Sequence, residues 1–238
     1  MPAVQQFRHQ TTSHVGERSS AHPRTPFSRF DFERDPGELL HGGRWANADV
    51  RLFRHAGKEW VVKDFGPRFS IVRETIGALF TTREIVALQR LADIPGVPAE
   101  VFRVDRHAFA YRFTPGRQIS ELHRTPLTAE FFRALETLLH NVHARGIVHL
   151  DVRCASNVLV SDQGQPLLID FQSNLRTQWM PRGLRRWMEE FDLAGAYKHW
   201  ARADPDSLDP ARAVMLKRMN RWRKFWFLRG YLGIRRRN

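Results

Sequence analysis

Three polar side chains in the second half of the chain are of the types that can hold and move a phosphoryl group. Asp151 follows a short apolar run, Asn157 comes six positions later, and Asp170 ends the apolar run 166–169. A turn sequence at residues 162–164 separates Asn157 from that run. Two short strands joined by such a turn would bring the three side chains into one cleft.

These residue types match what phosphoryl transfer requires. The transition state spreads negative charge over phosphate oxygens, so a protein mainly positions the two substrates and holds a divalent metal. Mg²⁺ prefers oxygen ligands, and one carboxylate with one amide oxygen can suffice when phosphates supply the rest. Asp170 and Asn157 are therefore the candidate metal ligands. Asp151 is the candidate that orients an acceptor hydroxyl and takes its proton.

A lysine and a glutamate upstream form a second candidate pair. The run 59–65 predicts a buried strand with Lys63 among apolar residues, where an ammonium group is costly unless a partner neutralises it. The next helical run, 82–91, carries Glu84 beside its apolar stripe, 21 positions after Lys63. Glu84 is the predicted partner and Glu74 the second choice. The alternatives are a lysine on an edge strand and an exposed helical glutamate.

Asp151, Asn157 and Asp170-Phe171 together resemble the catalytic-loop and metal-loop motifs of the protein-kinase-like superfamily, in which a histidine also precedes the aspartate by two positions. The step of 13 positions from Asn157 to Asp170 is the one this superfamily uses. Asn157 lies one position later than usual, and Gln172 stands where the metal loop usually has glycine. In both departures the chain is similar to bacterial proteins grouped with RIO kinases and lipopolysaccharide-core (Kdo and heptose) kinases.

The resemblance implies an α+β, two-lobed protein-kinase-like fold that uses ATP and Mg²⁺. Lys63, fixed by Glu84, would hold the α- and β-phosphates, and Asp151 would act as the base. Arg153 would steady the transferred phosphate, although a salt bridge within the loop explains it equally well. The implied acceptor is a hydroxyl group, either of a lipopolysaccharide-core sugar, of a protein serine or threonine, or of a smaller metabolite.

The loop that should cover the phosphates lacks the usual glycine pattern. Only Gly42 and Gly43 occur there, with no GxGxxG motif. This absence and the shifted Asn157 leave open a pseudokinase that binds a nucleotide or a partner without transfer. For Asp151, Asn157 and Asp170 the simpler alternative is a set of loop residues that make turns and caps.

The chain divides into three predicted regions. Residues 1–30 are polar and predict a mobile tail. Residues 31–114 predict the small lobe, an antiparallel sheet with one helix, and Thr114-Pro115-Gly116 predicts the hinge. Residues 115–238 predict the larger, mostly helical lobe, in which a helix from Thr128 to Gly146 lies under the catalytic loop.

Composition favours a compact enzyme in a reducing compartment. The 238 residues are 42% hydrophobic, which is enough for one sizeable core or two small lobes. A single cysteine cannot form an internal disulfide. Neither a signal-peptide-like run nor a stretch of 18 apolar residues occurs in the sequence. We therefore expect a cytoplasmic protein.

Positive charge is concentrated at the end of the chain. The formal net charge is +13, and no acidic residue follows Asp209. A helix starting there would place Met215, Met219, Trp222 and Trp226 on one face and basic residues on another. Such a helix can lie peripherally on an anionic inner membrane or can pack its aromatic face on the large lobe. The charge also allows an RNA-binding protein, although no RNA-recognition motif accompanies it.

Overall fold

Two lobes make up the computed structural model, which describes residues 25–43, 47–67, 77–122 and 127–225. The small lobe contains α1 (Arg29–Arg34), β1 (Glu38–His41), β2 (Asp49–His55), β3 (Lys58–Asp64), α2 (Ala78–Arg90), β4 (Phe102–Arg103) and β5 (Ala108–Arg112). The large lobe contains β6 (Arg117–Gln118), α3 (Ala129–Ala144), β7 (Ile147–Val148), β8 (Val158–Val160), β9 (Pro166–Leu168), a 3₁₀ turn (Phe171–Ser173), β10 (Leu175–Arg176), α4 (Arg182–Ala203) and α5 (Pro210–Phe225).

The small lobe is built on an antiparallel sheet with the strand order β1-β2-β3-β5-β4. Side chains alternate between its faces because successive residues of a strand point in opposite directions. On β3, Trp60 and Val62 join an aromatic cluster on one face, whereas Val61 joins the main core that α2 covers. Lys63 shares the face of Val61 and pairs in register with Phe109 of β5. The strand pattern therefore directs the lysine towards α2.

Helix α1 covers the other face of this sheet. Ser28 begins the helix through a reciprocal capping box with Asp31. Phe27 and Phe32 are each 3% exposed and pack in edge-on geometry against Phe53. Residues 25–30, which the sequence had placed in the tail, thus lie against the sheet in this structure, while 1–24 are outside the described residues.

Ion pairs also hold α1 to the sheet. The Arg29 guanidinium donates to both carboxylate oxygens of Asp64, at 2.8 and 2.9 Å, and to Asp105 at 2.5 Å. Asp64 is the last residue of β3 and follows Lys63 directly. The segment before β1 therefore fixes the end of the strand that carries the candidate lysine.

In the large lobe two short strand pairs shape the loops around the cleft. The hairpin β8–β9 turns at residues 161–165, and β6 pairs with β8 just after the expected hinge. Strand β7 pairs with β10, which follows the candidate metal loop. Helix α3 starts after Thr128 and ends before Gly146, whose φ of +69° favours glycine.

One hydrophobic core runs through both lobes. It includes Ile85 and Leu88 of α2, Leu138 of α3, Leu168 of β9 and Phe171. Helix α4, which the sequence did not predict, brings a buried strip to this core that includes Ala196, Tyr197 and Trp200. The lobes are therefore joined by packing as well as by the hinge segment.

The terminal helix α5 packs on the large lobe through its methionine side rather than through its tryptophan. Met219 is 1% exposed, whereas Trp222 is 56% exposed. Arg212 at its start reaches Glu136 of α3, with Nη2 and Oε2 2.5 Å apart. Trp226 lies outside the described residues. Within the described part of the chain, no helix combines the length and the apolar character needed to cross a bilayer.

We predict that Phe27→Ala lowers the free energy of unfolding by about 3 kcal/mol or more, because it removes a buried ring from the aromatic cluster. Phe30→Ala is the matched control, since that ring is 73% exposed, and we expect a change within about 0.5 kcal/mol. Urea denaturation measures both. Equal effects would contradict the placement of α1 on the sheet.

Candidate active site

A buried lysine bridges two carboxylates at the boundary between the lobes. The Lys63 ammonium lies 2.6 Å from Oε1 of Glu84 and 2.7 Å from Oδ1 of Asp170. The side chains of Lys63 and Glu84 are 8% and 3% exposed, whereas that of Asp170 is 40% exposed. The expected pairing of Lys63 with Glu84 is present. The central strand and the buried helix face exclude an edge-strand lysine and an exposed glutamate.

Burial and charge act in opposite directions on these three groups. Burial lowers the pKa of Lys63, but the charges of Asp170 and Glu84 outweigh it and raise that pKa above its ordinary value. Burial raises the pKa of Glu84 despite the lysine beside it. For Asp170 burial opposes ionisation, yet the Lys63 charge and hydrogen bond hold the pKa below its usual range. The lysine is therefore charged, and the carboxylate that faces the cleft is ionised.

Helix α2 is tied to the segment after Asp170. The Arg83 guanidinium donates to the backbone carbonyl of Asn174, and the Asn174 amide donates to the carbonyl of Phe171 at 2.6 Å. The Phe171 ring is fully buried in the common core. These contacts tie α2, and with it Glu84, to the segment that follows Asp170.

The hairpin β8–β9 places Asn157 next to Asp170. Val158 pairs with Leu168, and the Ile169 amide donates to the carbonyl of Asn157 at 2.9 Å. Asp170 follows in the left-handed region, with φ 63° and ψ 66°. This conformation costs a non-glycine residue about 1 kcal/mol or more, and the contact with Lys63 helps to sustain it.

Asp151 and Asn157 are in direct contact. The Asn157 amide nitrogen donates to the Asp151 side chain at 2.9 Å and to its backbone carbonyl at 3.1 Å. Although Asn157 lies one position later than in the usual kinase loop, its side-chain amide therefore still contacts Asp151. Burial raises the pKa of Asp151, with the Asp170 charge adding to the effect. A raised pKa makes a carboxylate a stronger proton acceptor.

His149 connects the two loops. Its Nε2 lies 3.0 Å from the carbonyl of Ile169, and its Nδ1 accepts the Asp151 amide at 3.2 Å. Since Nδ1 is an acceptor, Nε2 carries the proton in this arrangement. The ring packs edge-on against Phe171, with centroids 4.6 Å apart. The histidine thereby couples the position of Asp151 to that of the strand end before Asp170.

Asp192 on α4 is a residue that the sequence did not single out. It is 1% exposed and accepts the backbone amides of His149 and Leu150, both at 2.7 Å. It also lies 3.0 Å from Nε2 of His143 on α3. Leu150 has a φ of +65°, which is strained for a branched side chain. Asp192 therefore stabilises the turn that delivers Asp151.

The same side of α4 supports the rest of the loop. Lys198 donates to the carbonyl of Arg153 and His199 to that of Val152, both at 3.0 Å. A Cβ at Gly195 would lie 2.9 Å from that of Val152, so only glycine permits this close approach. Arg153 belongs to the same loop, two residues after Asp151, and its side chain is half-buried.

Some residues of the predicted site lie outside the part of the chain that the structure describes. Glu74 lies outside the described residues, as do residues 44–46 of the covering loop. Gly42 and Gly43 lie between β1 and β2, and the Gly43 amide donates to Asp49 at 2.8 Å. Among the described residues there is no cluster of three or more His, Cys, Asp or Glu side chains that could hold a metal. The candidate metal ligands Asn157 and Asp170 do not form such a cluster, because they are only two side chains and one of them is an amide.

Comparisons with known proteins match this architecture at the level of the fold. No family model and no curated protein matches the chain. Among solved structures, it is similar to a Rio2 kinase from Chaetomium thermophilum in complex with ADP/Mg²⁺ and phosphoaspartate, with a TM-score of 0.58 and 15% identity. The match covers 79% of this chain and 63% of that one.

The chain has a two-lobed, protein-kinase-like fold. At 15% identity this likeness shows the fold alone, and it does not support the closer resemblance to bacterial lipopolysaccharide-core kinases. The chain spans less than two thirds of the Rio2 kinase that it matches. The kinase-like lobes meet where Lys63, Glu84 and Asp170 are in contact.

We predict that Asp192→Ala destabilises the protein by about 3 kcal/mol, because two buried amides lose their acceptor. Asp192→Asn keeps the shape but only one acceptor oxygen, so its cost should be smaller. Glu189→Ala on the same helix is the control, since its pair with Arg185 is half-exposed and should cost at most about 1 kcal/mol. Chemical denaturation provides the comparison. Equal losses of stability in Asp192→Ala and Glu189→Ala would contradict the role of Asp192.

A second prediction concerns His199. Burial lowers the pKa of this imidazole to about 4, from an ordinary value of 6.5. Between these values the unfolded chain binds a proton that the folded protein does not, so stability falls as the pH drops through this window. The full effect is about 3 kcal/mol. His199→Gln should remove this contribution to the pH dependence of the free energy of unfolding. His140 is exposed on α3, so His140→Gln should leave the pH dependence unchanged. Unfolding curves at several pH values test the difference.

Proposed function

We propose that the protein is an ATP- and Mg²⁺-dependent phosphotransferase that acts on a hydroxyl group. The observation that carries this proposal is the charged Lys63 held between Glu84 and Asp170 in the cleft of a kinase-like fold. A buried charge pair contributes little net stability, so its presence in the cleft favours a functional role. The similar Rio2 kinase was solved with ADP and Mg²⁺, which agrees with this use of the cleft.

The residues present fit these two ligands. Asp170 offers an ionised, partly exposed carboxylate, and Asn157 offers its amide oxygen, since its nitrogen already donates to Asp151. Mg²⁺ keeps several waters and accepts phosphate oxygens, so two protein ligands are enough. When bound, the metal neutralises charge on the phosphate oxygens. Lys63 supplies a fixed positive charge for the α- and β-phosphates, and Glu84 keeps its position.

Asp151 is assigned to the acceptor. Its carboxylate, oriented by Asn157, would accept the proton of the attacking hydroxyl. Arg153 in the same loop would steady the transferred group. For the acceptor we favour a sugar hydroxyl of a lipopolysaccharide core, on the sequence resemblance and the basic terminus. A protein serine or threonine is the second choice.

A pseudokinase is the competing function. The missing glycine motif and the later asparagine favour it, whereas the assembled Lys63 contacts and the contact between Asn157 and Asp151 support catalysis. A pure nucleotide-binding module would not need an oriented Asp151. Binding of RNA is a further alternative that rests on net charge alone.

We expect the purified protein to hydrolyse ATP or to phosphorylate itself when Mg²⁺ is present. Asp151→Asn should lower the rate about a hundredfold or more while nucleotide affinity stays nearly unchanged. Asp170→Asn should weaken nucleotide binding only in the presence of Mg²⁺, because the variant loses a metal ligand. Release of radiolabelled phosphate and calorimetric titration measure these effects.

The matched control is Asp162→Asn, an exposed aspartate at the tip of the β8–β9 hairpin, which should behave like the unaltered protein. Nucleotide binding without turnover in every form would favour the pseudokinase. Treatment of labelled protein with hydroxylamine identifies the product, because an acyl phosphate is cleaved and a phosphoserine is not. An acyl phosphate would resemble the phosphoaspartate of the Rio2 complex.

A further inference from the structure

Helices α4 and α5 form an antiparallel pair that brings distant parts of the chain together. At one end, the Arg212 guanidinium lies 5.2 Å from the centre of the Trp200 ring. Further along α5, Arg218 donates to Glu190 at 2.7 Å. Residue numbers therefore rise along α5 as they fall along α4. By this pairing, the next turn of α5, which carries Trp222, lies beside the turn of α4 that carries Arg186.

Arg186 supports this placement directly. It donates to Glu190 at 3.3 Å, so Arg186 and Arg218 share one carboxylate across the two helices. The same end of the pair continues with Arg182, the first residue of α4, and with Trp179 in the loop before it. We call the exposed surface at this end of the pair the cationic aromatic face. It is defined by Trp179, Arg182 and Arg186 around the start of α4 and by Lys217, Arg221 and Trp222 on α5. On α5, Trp222 lies about 100° around the helix axis from Arg221, so the face spans two sides of that helix.

Large apolar side chains of this face are exposed. Trp179 is 91% exposed and Trp222 is 56% exposed, and Leu184 in the first turn of α4 is 43% exposed. Indole rings are rarely left this open on a monomeric protein. The indole ring is amphipathic and is favoured at the boundary between water and lipid.

The exposed charged side chains of this face are basic. No acidic residue occurs from 171 to 188 or after Asp209. The nearest acids, Glu189 and Glu190, are 23% and 15% exposed and accept bonds from arginines. The Arg186 side chain is 83% exposed, and Arg182, Lys217 and Arg221 are exposed as well. The outer layer of the face is thus cationic.

We propose that the cationic aromatic face binds an anionic lipid bilayer. Basic side chains are attracted to acidic headgroups, and neighbouring tryptophans enter the headgroup region. The face is a rigid platform rather than a separate peptide, because Met219 is buried and Arg212 is paired with Glu136. The two helices share the contact, so the basic terminal helix alone does not account for it. This inference does not depend on the proposed kinase activity.

Vesicle sedimentation of the full chain tests the proposal. One set of vesicles is pure phosphatidylcholine, and the other is an equimolar mixture of phosphatidylcholine and phosphatidylglycerol. We expect binding to the anionic set only, weakened by added salt. Lys217→Glu combined with Arg221→Glu should weaken it about tenfold or more. Trp179→Ser combined with Trp222→Ser should weaken it several-fold while the salt dependence stays the same.

Matched controls lie on the small lobe. Arg54→Glu with Lys58→Glu reverses two charges that are 67% and 50% exposed, and Phe30→Ser removes an aromatic ring that is 73% exposed. Both should bind like the unaltered protein. Loss of binding only in the face variants supports the proposal. The proposal would be overturned if face and control variants bound equally, or if the protein bound both vesicle sets equally. It would also be overturned if the protein bound single-stranded RNA but not the anionic vesicles.

Discussion

The charge of Lys63 is the constraint on which the rest of the structure depends. An ammonium group in a nearly closed core is tolerated only when counter-charges reach it, and here they come from both lobes. Glu84 arrives from α2 and Asp170 from the end of the β8–β9 hairpin. Without either partner, the ammonium group would keep a single counter-charge, from one lobe only. The ion cluster therefore requires the small sheet, α2 and the loop that carries Asp170 to lie together.

The large lobe satisfies a different requirement, which is to hold a strained loop. Leu150 and Asp170 both have a φ in the left-handed region, one in each of two neighbouring loops of the large lobe. Asp192 supports the first, and the second is held by Lys63. The His149 ring links the two loops, because its nitrogens contact the carbonyl of Ile169 and the amide of Asp151. Strain at two adjacent points, each with its own support, is typical of a site whose geometry matters more than its local stability.

The sequence predicted the parts of the site that depend on short-range spacing. Asp151, Asn157 and Asp170 lie within 19 positions of one another, in the loop before the β8–β9 hairpin and at the two ends of that hairpin. Lys63 was recognisable because a lysine stood alone in an apolar strand. Asp192 was missed because it lies 41 positions after Asp151. The buried positions of its helix mix small, aromatic, aliphatic and polar residues and so form no simple apolar stripe. Strand β1 is exposed along its whole length and has no alternating pattern. Helix α1 lies in a polar segment, where only its capping box gave a local signal.

The contacts of Lys63 in the presence of substrate provide the most direct test of this account. A structure determined with Mg²⁺ and a non-hydrolysable ATP analogue would locate the ammonium group, the carboxylate of Asp170 and the amide of Asn157 together. We predict that Lys63 keeps Glu84 but exchanges Asp170 for a phosphate oxygen, and that Asp170 and Asn157 bind the metal. A nucleotide bound elsewhere, with the contact between Lys63 and Asp170 unchanged, would contradict the account.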